Sequence, residues 1–139
     1  FKAALAIIQP LAEQGDAIAQ VLLGSMYQNG LGVKQDDFEA MKWYRQSAEQ
    51  GDADAQINLG AMYANGHGVR QDDTEAVKWF KKAAENGSAA GQFRLGAAYF
   101  LGQGIQKDRT LAKEWFGKAC NNGHQDGCEY YGKLNRGEL

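Results

Sequence analysis

No run of lysine or arginine longer than two residues occurs in this 139-residue chain, and the formal net charge is −2. Nucleic acid and anionic membrane surfaces both demand a basic patch, so neither is expected as a partner. No apolar stretch approaches the roughly 20 residues needed to cross a bilayer, so membrane insertion is not expected either. A charged segment followed by an apolar one, the mark of a signal peptide, is also missing. Because Phe1-Lys2-Ala3-Ala4-Leu5 begins inside what reads as a helix, a longer natural chain is expected, and a removed signal peptide would leave no trace. Proline occurs once, at Pro10, inside that first helix, where its missing donor and ring clash predict a kink.

What the chain does have is recurrence. Gly15, Gly51, Gly87 and Gly123 stand at a constant 36-residue step. Between them, Gly51-Asp-Ala-Asp-Ala-Gln-Ile-Asn-Leu-Gly60-Ala-Met-Tyr63 answers Gly15-Asp-Ala-Ile-Ala-Gln-Val-Leu-Leu-Gly24-Ser-Met-Tyr27, and residues 87–99 follow with drift. A period of 20–50 residues signals a solenoid, in which each unit buries its apolar face against its neighbours. We therefore expect one repeat domain over residues 1–139: a half unit at 1–14, whole units at 15–50, 51–86 and 87–122, and a half unit at 123–139. Function in such a chain resides in a surface, since nothing in the repeat calls for a catalyst.

Each unit reads as two helices. Ala55, Leu59, Met62 and Tyr63 form one helical stripe, which stops at Asn65-Gly66-His67-Gly68, where glycine can take the left-handed conformation that ends a helix. Asp72 is placed as the N-cap of a second helix, with Glu75 three residues on completing a capping box. Ala76, Trp79, Phe80, Ala83 and Ala84 form the second stripe. Asp36 with Glu39 repeats the box, whereas Asp108 is followed by Leu111, so the third cap is expected to be the weakest. Gly24, Gly60, Gly96 and Gly132 fall mid-helix, at a cost of about 1 kcal/mol each relative to alanine. Close approach of Trp43, Trp79 and Trp115, or of the adjacent Tyr44, Phe80 and Phe116, is the expected compensation.

The pattern Ala-x-Ala-Gln-x-x-Leu-Gly-x-Met-Tyr, then Gly-x-Gly-Val-x-x-Asp, then Ala-x-x-Trp-Tyr/Phe-x-x-Ala-Ala resembles the Sel1-like repeat (SLR) family, relatives of the tetratricopeptide repeats. It is carried by Ala19, Gln20, Leu23, Gly24, Tyr27, Gly30, Gly32, Val33, Asp36, Ala40, Trp43 and Ala48 and their counterparts, and covers nearly the whole chain. Departures include Gly91 for Ala55, Ile105 for Val69, and Gln125, Gly127 and Cys128 in the last half unit, whose helicity they put in question. The resemblance implies an all-α, right-handed α/α superhelical solenoid of helix-turn-helix repeats. Its first helices would line a concave face that adapts to other proteins, in a family that is mostly not enzymatic.

Cys120 takes the place of Ala48 and Ala84, and Cys128 that of Gln56 and Gln92, so both fall at one helix-to-helix junction. Positions flanking a tight turn can bring Cα atoms within the roughly 6 Å that a disulfide requires. The spacing also resembles the bridge of a cysteine-rich subgroup of secreted bacterial SLR proteins, which implies a Cys120–Cys128 disulfide and a periplasmic or secreted location. Three other readings stay open. Cys120, His124 and Cys128 offer three soft ligands to zinc, although a structural site wants four. His124 is a neighbour for a catalytic thiolate, without a third orienting group. Two plain thiols complete the set.

Other signals are weaker. Gly30-x-Gly32 and its copies resemble phosphate-cradling loops but follow helices rather than a strand, and read as turns. His67 lies in such a turn without a partner. Asp36-Asp37 and Asp72-Asp73 are explained by capping and the helix dipole. The cysteine-rich subgroup also brings the idea of β-lactam binding or hydrolysis, yet Ser25, Ser47 and Ser88 lack a lysine three residues on. No catalytic residue, metal or cofactor is expected.

Carried over from the tetratricopeptide relatives, the groove positions are Ile18, Val21, Ser25, Gln28 and Asn29 in the first unit. They are Asp54, Ile57, Ala61, Ala64 and Asn65 in the second, and Ala90, Phe93, Ala97, Phe100 and Leu101 in the third, with Arg94 near the rim. Small and amide side chains suit hydrogen bonding to a backbone; Phe93, Phe100 and Leu101 suggest an apolar anchor patch. The expected function is a monomeric scaffold, adaptor or regulator that binds a protein or peptide, with a periplasmic immunity or inhibitor protein as the alternative.

Overall fold

The computed structural model describes residues 1–139 as eight helices without a strand. They are α1 (Lys2–Glu13), α2 (Ala17–Asn29), α3 (Asp37–Glu49), α4 (Ala53–Asn65), α5 (Asp73–Glu85), α6 (Ala89–Leu101), α7 (Arg109–Asn121) and α8 (Gln125–Asn135). The chain is an all-α array of helix-turn-helix units. Two compact units, Phe1–Gln71 and Asp72–Leu139, divide it between α4 and α5. In the first, α1 packs on α2, α2 on α3 and α3 on α4; in the second, α5 packs on α6, α6 on α7 and α7 on α8. The final half unit is helical despite its drift, and α1 continues through Pro10 to Glu13.

Local chemistry sets these boundaries. The helices α2, α4 and α6 each end on a glycine at positive φ, Gly30 at 67°, Gly66 at 68° and Gly102 at 70°, a conformation L-residues rarely take. Their starts are capped by Asp16 to the Ala19 N–H at 2.8 Å, Asp52 to the Ala55 N–H at 2.9 Å and Ser88 to the Gly91 N–H at 3.1 Å.

The capping boxes expected at α3 and α5 correct themselves in the structure. Asp36 does accept from the Glu39 N–H, at 3.1 Å, and Asp72 from the Glu75 N–H, at 3.1 Å. The reciprocal arm is not available at Asp36, because its own N–H already donates to the Tyr27 carbonyl at 2.9 Å. Glu39 and Glu75 pair instead with Lys42 at 3.6 Å and Lys78 at 3.8 Å. Asp108 shows the same arrangement, with its N–H on the Tyr99 carbonyl at 3.0 Å and its carboxylate on the Leu111 N–H at 3.0 Å. The third cap is thus as well made as the first, since a glutamate at position 111 would have no free N–H to reach.

Two of the mid-helix glycines, Gly24 and Gly96, act through the ring that follows a tryptophan. A Cβ on Gly24 would lie 2.7 Å from Tyr44 Cδ1 and 3.2 Å from the Ala40 carbonyl oxygen. On Gly96 it would lie 2.8 Å from Phe116 Cδ1 and 3.2 Å from the Ala112 carbonyl oxygen. Tyr44 and Phe116 are almost wholly buried as a result. Trp43 packs elsewhere, against Ala12, Ala19 and Leu23, with Leu5, Ile8 and Tyr27 around it.

Candidate partner-binding surface and its terminal staple

At three of the four junctions from a second helix to the following first helix, a buried glutamine crosses back eight residues. Gln20 Nε2 donates to the Ala12 carbonyl at 3.1 Å, Gln56 Nε2 to Ala48 at 3.1 Å and Gln92 Nε2 to Ala84 at 3.2 Å. The amide oxygens are used as well: Gln20 Oε1 accepts from Gln50 Nε2, and Gln92 Oε1 from Asn122 Nδ2, both at 2.8 Å. These amides satisfy carbonyls at the end of one helix while fixing the start of the next. In the fourth copy Cys128 stands in the glutamine position and Cys120 in the alanine position, and the two are joined by a disulfide with Cα atoms 4.4 Å apart. A covalent bond has replaced a hydrogen bond across the same eight-residue span. With both sulfurs in the bond, neither zinc ligation nor a catalytic thiol is open to them in this oxidised form.

His124 has a structural role at the same junction. Its Nδ1 accepts from the Gly127 N–H at 3.1 Å, the place taken by Asp16, Asp52 and Ser88 in the other copies. Such a cap needs a lone pair on Nδ1, so the proton of the neutral ring sits on Nε2. The ring stacks on Phe93 with centroids 4.5 Å apart.

The groove residues expected from sequence fall on first helices. Within Phe1–Gln71, Ile57 and Ala61 are half-buried on α4, and Asn65 is exposed at its C-terminus. On α2, Asn29 Nδ2 donates to the Ser25 carbonyl at 2.9 Å, and Gln28 Oε1 accepts from the Tyr44 hydroxyl at 2.8 Å. Burial pushes the Tyr44 hydroxyl up from its usual 10.0 to about 12; the charge of Asp37 acts in the same sense and a hydrogen bond with Ser25 opposes it.

Within Asp72–Leu139, Phe93, Arg94, Ala97, Phe100 and Leu101 all lie on α6, but they do not form one patch. Phe93 turns toward α7 and α8, packing on His124, on Phe116 at 5.5 Å and on Tyr130 at 5.9 Å. Arg94, the next residue, turns to the opposite flank and lies 5.3 Å over the Phe80 ring of α5. Phe100 is covered by the Arg109 guanidinium at 5.2 Å. Ala97 is half-buried and Leu101 is 58% exposed. Tyr130, which the sequence reading passed over, lies on α8 beside Phe93 and Phe116 and remains 36% exposed. Its one signal was an aromatic at the repeat position occupied by Leu22, Asn58 and Arg94. No group of three or more histidine, cysteine, aspartate or glutamate side chains is placed to hold a metal ion.

Helix pairs repeated every 36 residues, each junction fastened across the same eight-residue span by an amide or a disulfide, define an α/α repeat protein. The Sel1 repeat model matches residues 17–52, 53–88 and 89–124, and the chain belongs to the Sel1 repeat family. A protective antigen of uropathogenic Escherichia coli that displays an SLR fold superposes with a TM-score of 0.89 at 44% identity, covering 94% of this chain. This chain spans 28% of that one. A Sel1 repeat protein from Oxalobacter formigenes matches with a TM-score of 0.86 at 41% identity, over 93% of this chain and 97% of that one. The cysteine rich protein B of Helicobacter pylori shares the fold, with a TM-score of 0.72 at 22% identity, over 88% of this chain and 93% of that one. No curated protein matches significantly.

Proposed function

We propose that this chain is a non-catalytic interaction module, a scaffold, adaptor or regulator, that binds a protein or peptide along its first helices. Sel1-repeat proteins are generally protein-interaction modules, which supports the reading. The observation that carries it is on α6. Asn29 and Asn65 close α2 and α4, whereas Leu101 closes α6 with 58% of its surface exposed. The exposed leucine, on the same helix as Phe100 and Ala97, gives an apolar anchor for a partner. The disulfide supports a periplasmic or secreted setting.

The test is capture from a bacterial cell-envelope extract by the intact chain and by a Phe100→Ala, Leu101→Ala variant, with helicity checked by circular dichroism. A protein retained by the first and lost by the second supports the reading; identical capture by both overturns the α6 assignment. Nitrocefin turnover that survives purification and disappears on substitution of Ser25, Ser47 or Ser88 would overturn the non-catalytic reading.

A further inference from the structure

An open cleft of about 390 Å³ is lined by Phe38, Met41, Lys42 and Arg45 of α3 and by Gly68 and Val69 of the turn that follows α4. The four α3 residues stand at i, i+3, i+4 and i+7, on one face of the helix. The turn is held close to that helix: a Cβ on Gly68 would lie 2.7 Å from the Asp37 carbonyl oxygen, so only glycine lets the two meet. All of the lining belongs to Phe1–Gln71, with whole helices before and after it in the chain, so neither chain end leaves the cleft open.

Two side chains set this cleft apart from its copies. Phe38 is 71% exposed, whereas Met41, one turn on, is buried. The Phe38 position is Lys2 in α1, Thr74 in α5 and Thr110 in α7, so the repeat does not require a ring there. Arg45 is the other, at a position that is Gln9, Lys81 and Gly117 elsewhere. It is half-buried, donates to the Tyr63 hydroxyl and lies 5.8 Å from the centre of that ring, and no carboxylate pairs with it. Lys42, by contrast, has Glu39 at 3.6 Å. A half-buried guanidinium with spare donors lacks the anion that would satisfy it. None of the lining residues is acidic, and on a chain of net charge −2 such a site is a local exception.

We propose that this cleft binds an acidic peptide segment of a partner protein, with an apolar side chain seated on Phe38, Met41 and Val69 and a carboxylate paired with Arg45. Charge selects the occupant: the cleft offers an apolar floor and an unpaired cation, and the complement is an apolar residue near an acid. A guanidinium takes a carboxylate through two parallel hydrogen bonds, which fixes the segment as well as holding it. Phe38 and Arg45 are about 10 Å apart along α3. An extended segment covers that distance in about three residues, which sets the spacing of its apolar and acidic side chains. One anchor and one ion pair make a weak complex, with a dissociation constant of about 100 μM that rises with added salt. No residue of α6 takes part, so this second surface stands independently of the α6 assignment.

The test is titration of the intact chain with a short peptide that carries one leucine and, three residues on, one glutamate in a glycine and serine background, followed by calorimetry and by amide shifts in NMR. Shifts are expected at Phe38, Arg45 and Val69. Binding is expected to weaken about tenfold with Phe38→Thr, with Arg45→Gln, or with glutamine in place of the peptide's glutamate. Both variants install the residue that another copy has at the same position, and circular dichroism checks their helicity; the peptide exchange needs no variant at all. In the Arg45→Gln chain, the glutamate and glutamine peptides are expected to bind alike, as a direct pair requires. The Phe100→Ala, Leu101→Ala variant is expected to bind the peptide as the intact chain does. No binding at millimolar peptide, shifts confined to α2 and α4, or equal binding of the two peptides by the intact chain would each overturn the proposal. So would an average mass in sedimentation that climbs with concentration and falls back in Phe38→Thr, which would give the cleft to a second copy.

Discussion

Replacing the Cys120–Cys128 bridge separates two contributions that the repeat makes interchangeable. The bridge closes a span of eight residues, and the loop-entropy relation gives about 2.5 kcal/mol for such a short closure. The glutamine that does the same task at the other junctions makes one buried hydrogen bond to a carbonyl, which contributes about 1 kcal/mol net. A Cys120→Ala, Cys128→Ser variant therefore loses about 2.5 kcal/mol, and a Cys120→Ala, Cys128→Gln variant loses only about 1.5 kcal/mol. Because each unit of an array contacts only its neighbours, the loss falls on α8 rather than on the whole chain. Hydrogen exchange resolved by residue is the suitable assay. Amides of α8 are expected to exchange about 60-fold faster in the serine variant and about tenfold faster in the glutamine variant, with α1 to α4 unchanged. Equal exchange in the two variants would refute the equivalence of bridge and amide, and an even loss of protection along the chain would refute local fraying.

Gly96→Ala pushes a Cβ to 2.8 Å from the Phe116 ring and is expected to destabilise by about 1–2 kcal/mol in urea despite the better helix propensity. Gly132→Ala, with only Arg136 nearby, is expected to stabilise α8 by up to about 1 kcal/mol. Asp108→Ala and Asp36→Ala are expected to cost the same, about 1 kcal/mol each, and Leu111→Glu to change stability by less than about 0.5 kcal/mol, all read from denaturation midpoints. Tyr44 has a folded pKa of about 12 against an ordinary 10.0. Its neutral form is the one folding favours, so its contribution is fully present below pH 10 and is lost as pH rises toward 12, by about 2–3 kcal/mol. A Tyr44→Phe variant is expected to lose less stability than the intact chain across that range in an alkaline unfolding titration.

The spacing of Gly15, Gly51, Gly87 and Gly123 was enough to find the period, the helix pairs and the class, because periodicity in sequence is periodicity in packing. Close approach at Gly24 and Gly96 was legible too, and the structure selects the ring after the tryptophan. Partner choice at a backbone donor was not: whether the Asp36 N–H turns to Glu39 or to the Tyr27 carbonyl depends on where the preceding helix ends. The same limit applied to α6. Phe93 and Arg94 are adjacent in sequence and about 100° apart on a helix, so one joins the rings of α7 and α8 while the other reaches Phe80 of α5. Gln20, Gln56 and Gln92 stood in the repeat pattern, but a glutamine in a first helical turn does not announce a bond eight residues back.

That shared eight-residue span makes the junction a clasp that can be moved. Any pair in the same places, Ala12 with Gln20 or Ala48 with Gln56, becomes a candidate for exchange with two cysteines, and returning Cys120 and Cys128 to alanine and glutamine would release the one now fastened. A set of such chains, each locked at a different joint and opened by a reductant, would let the order in which the units come apart be chosen at will.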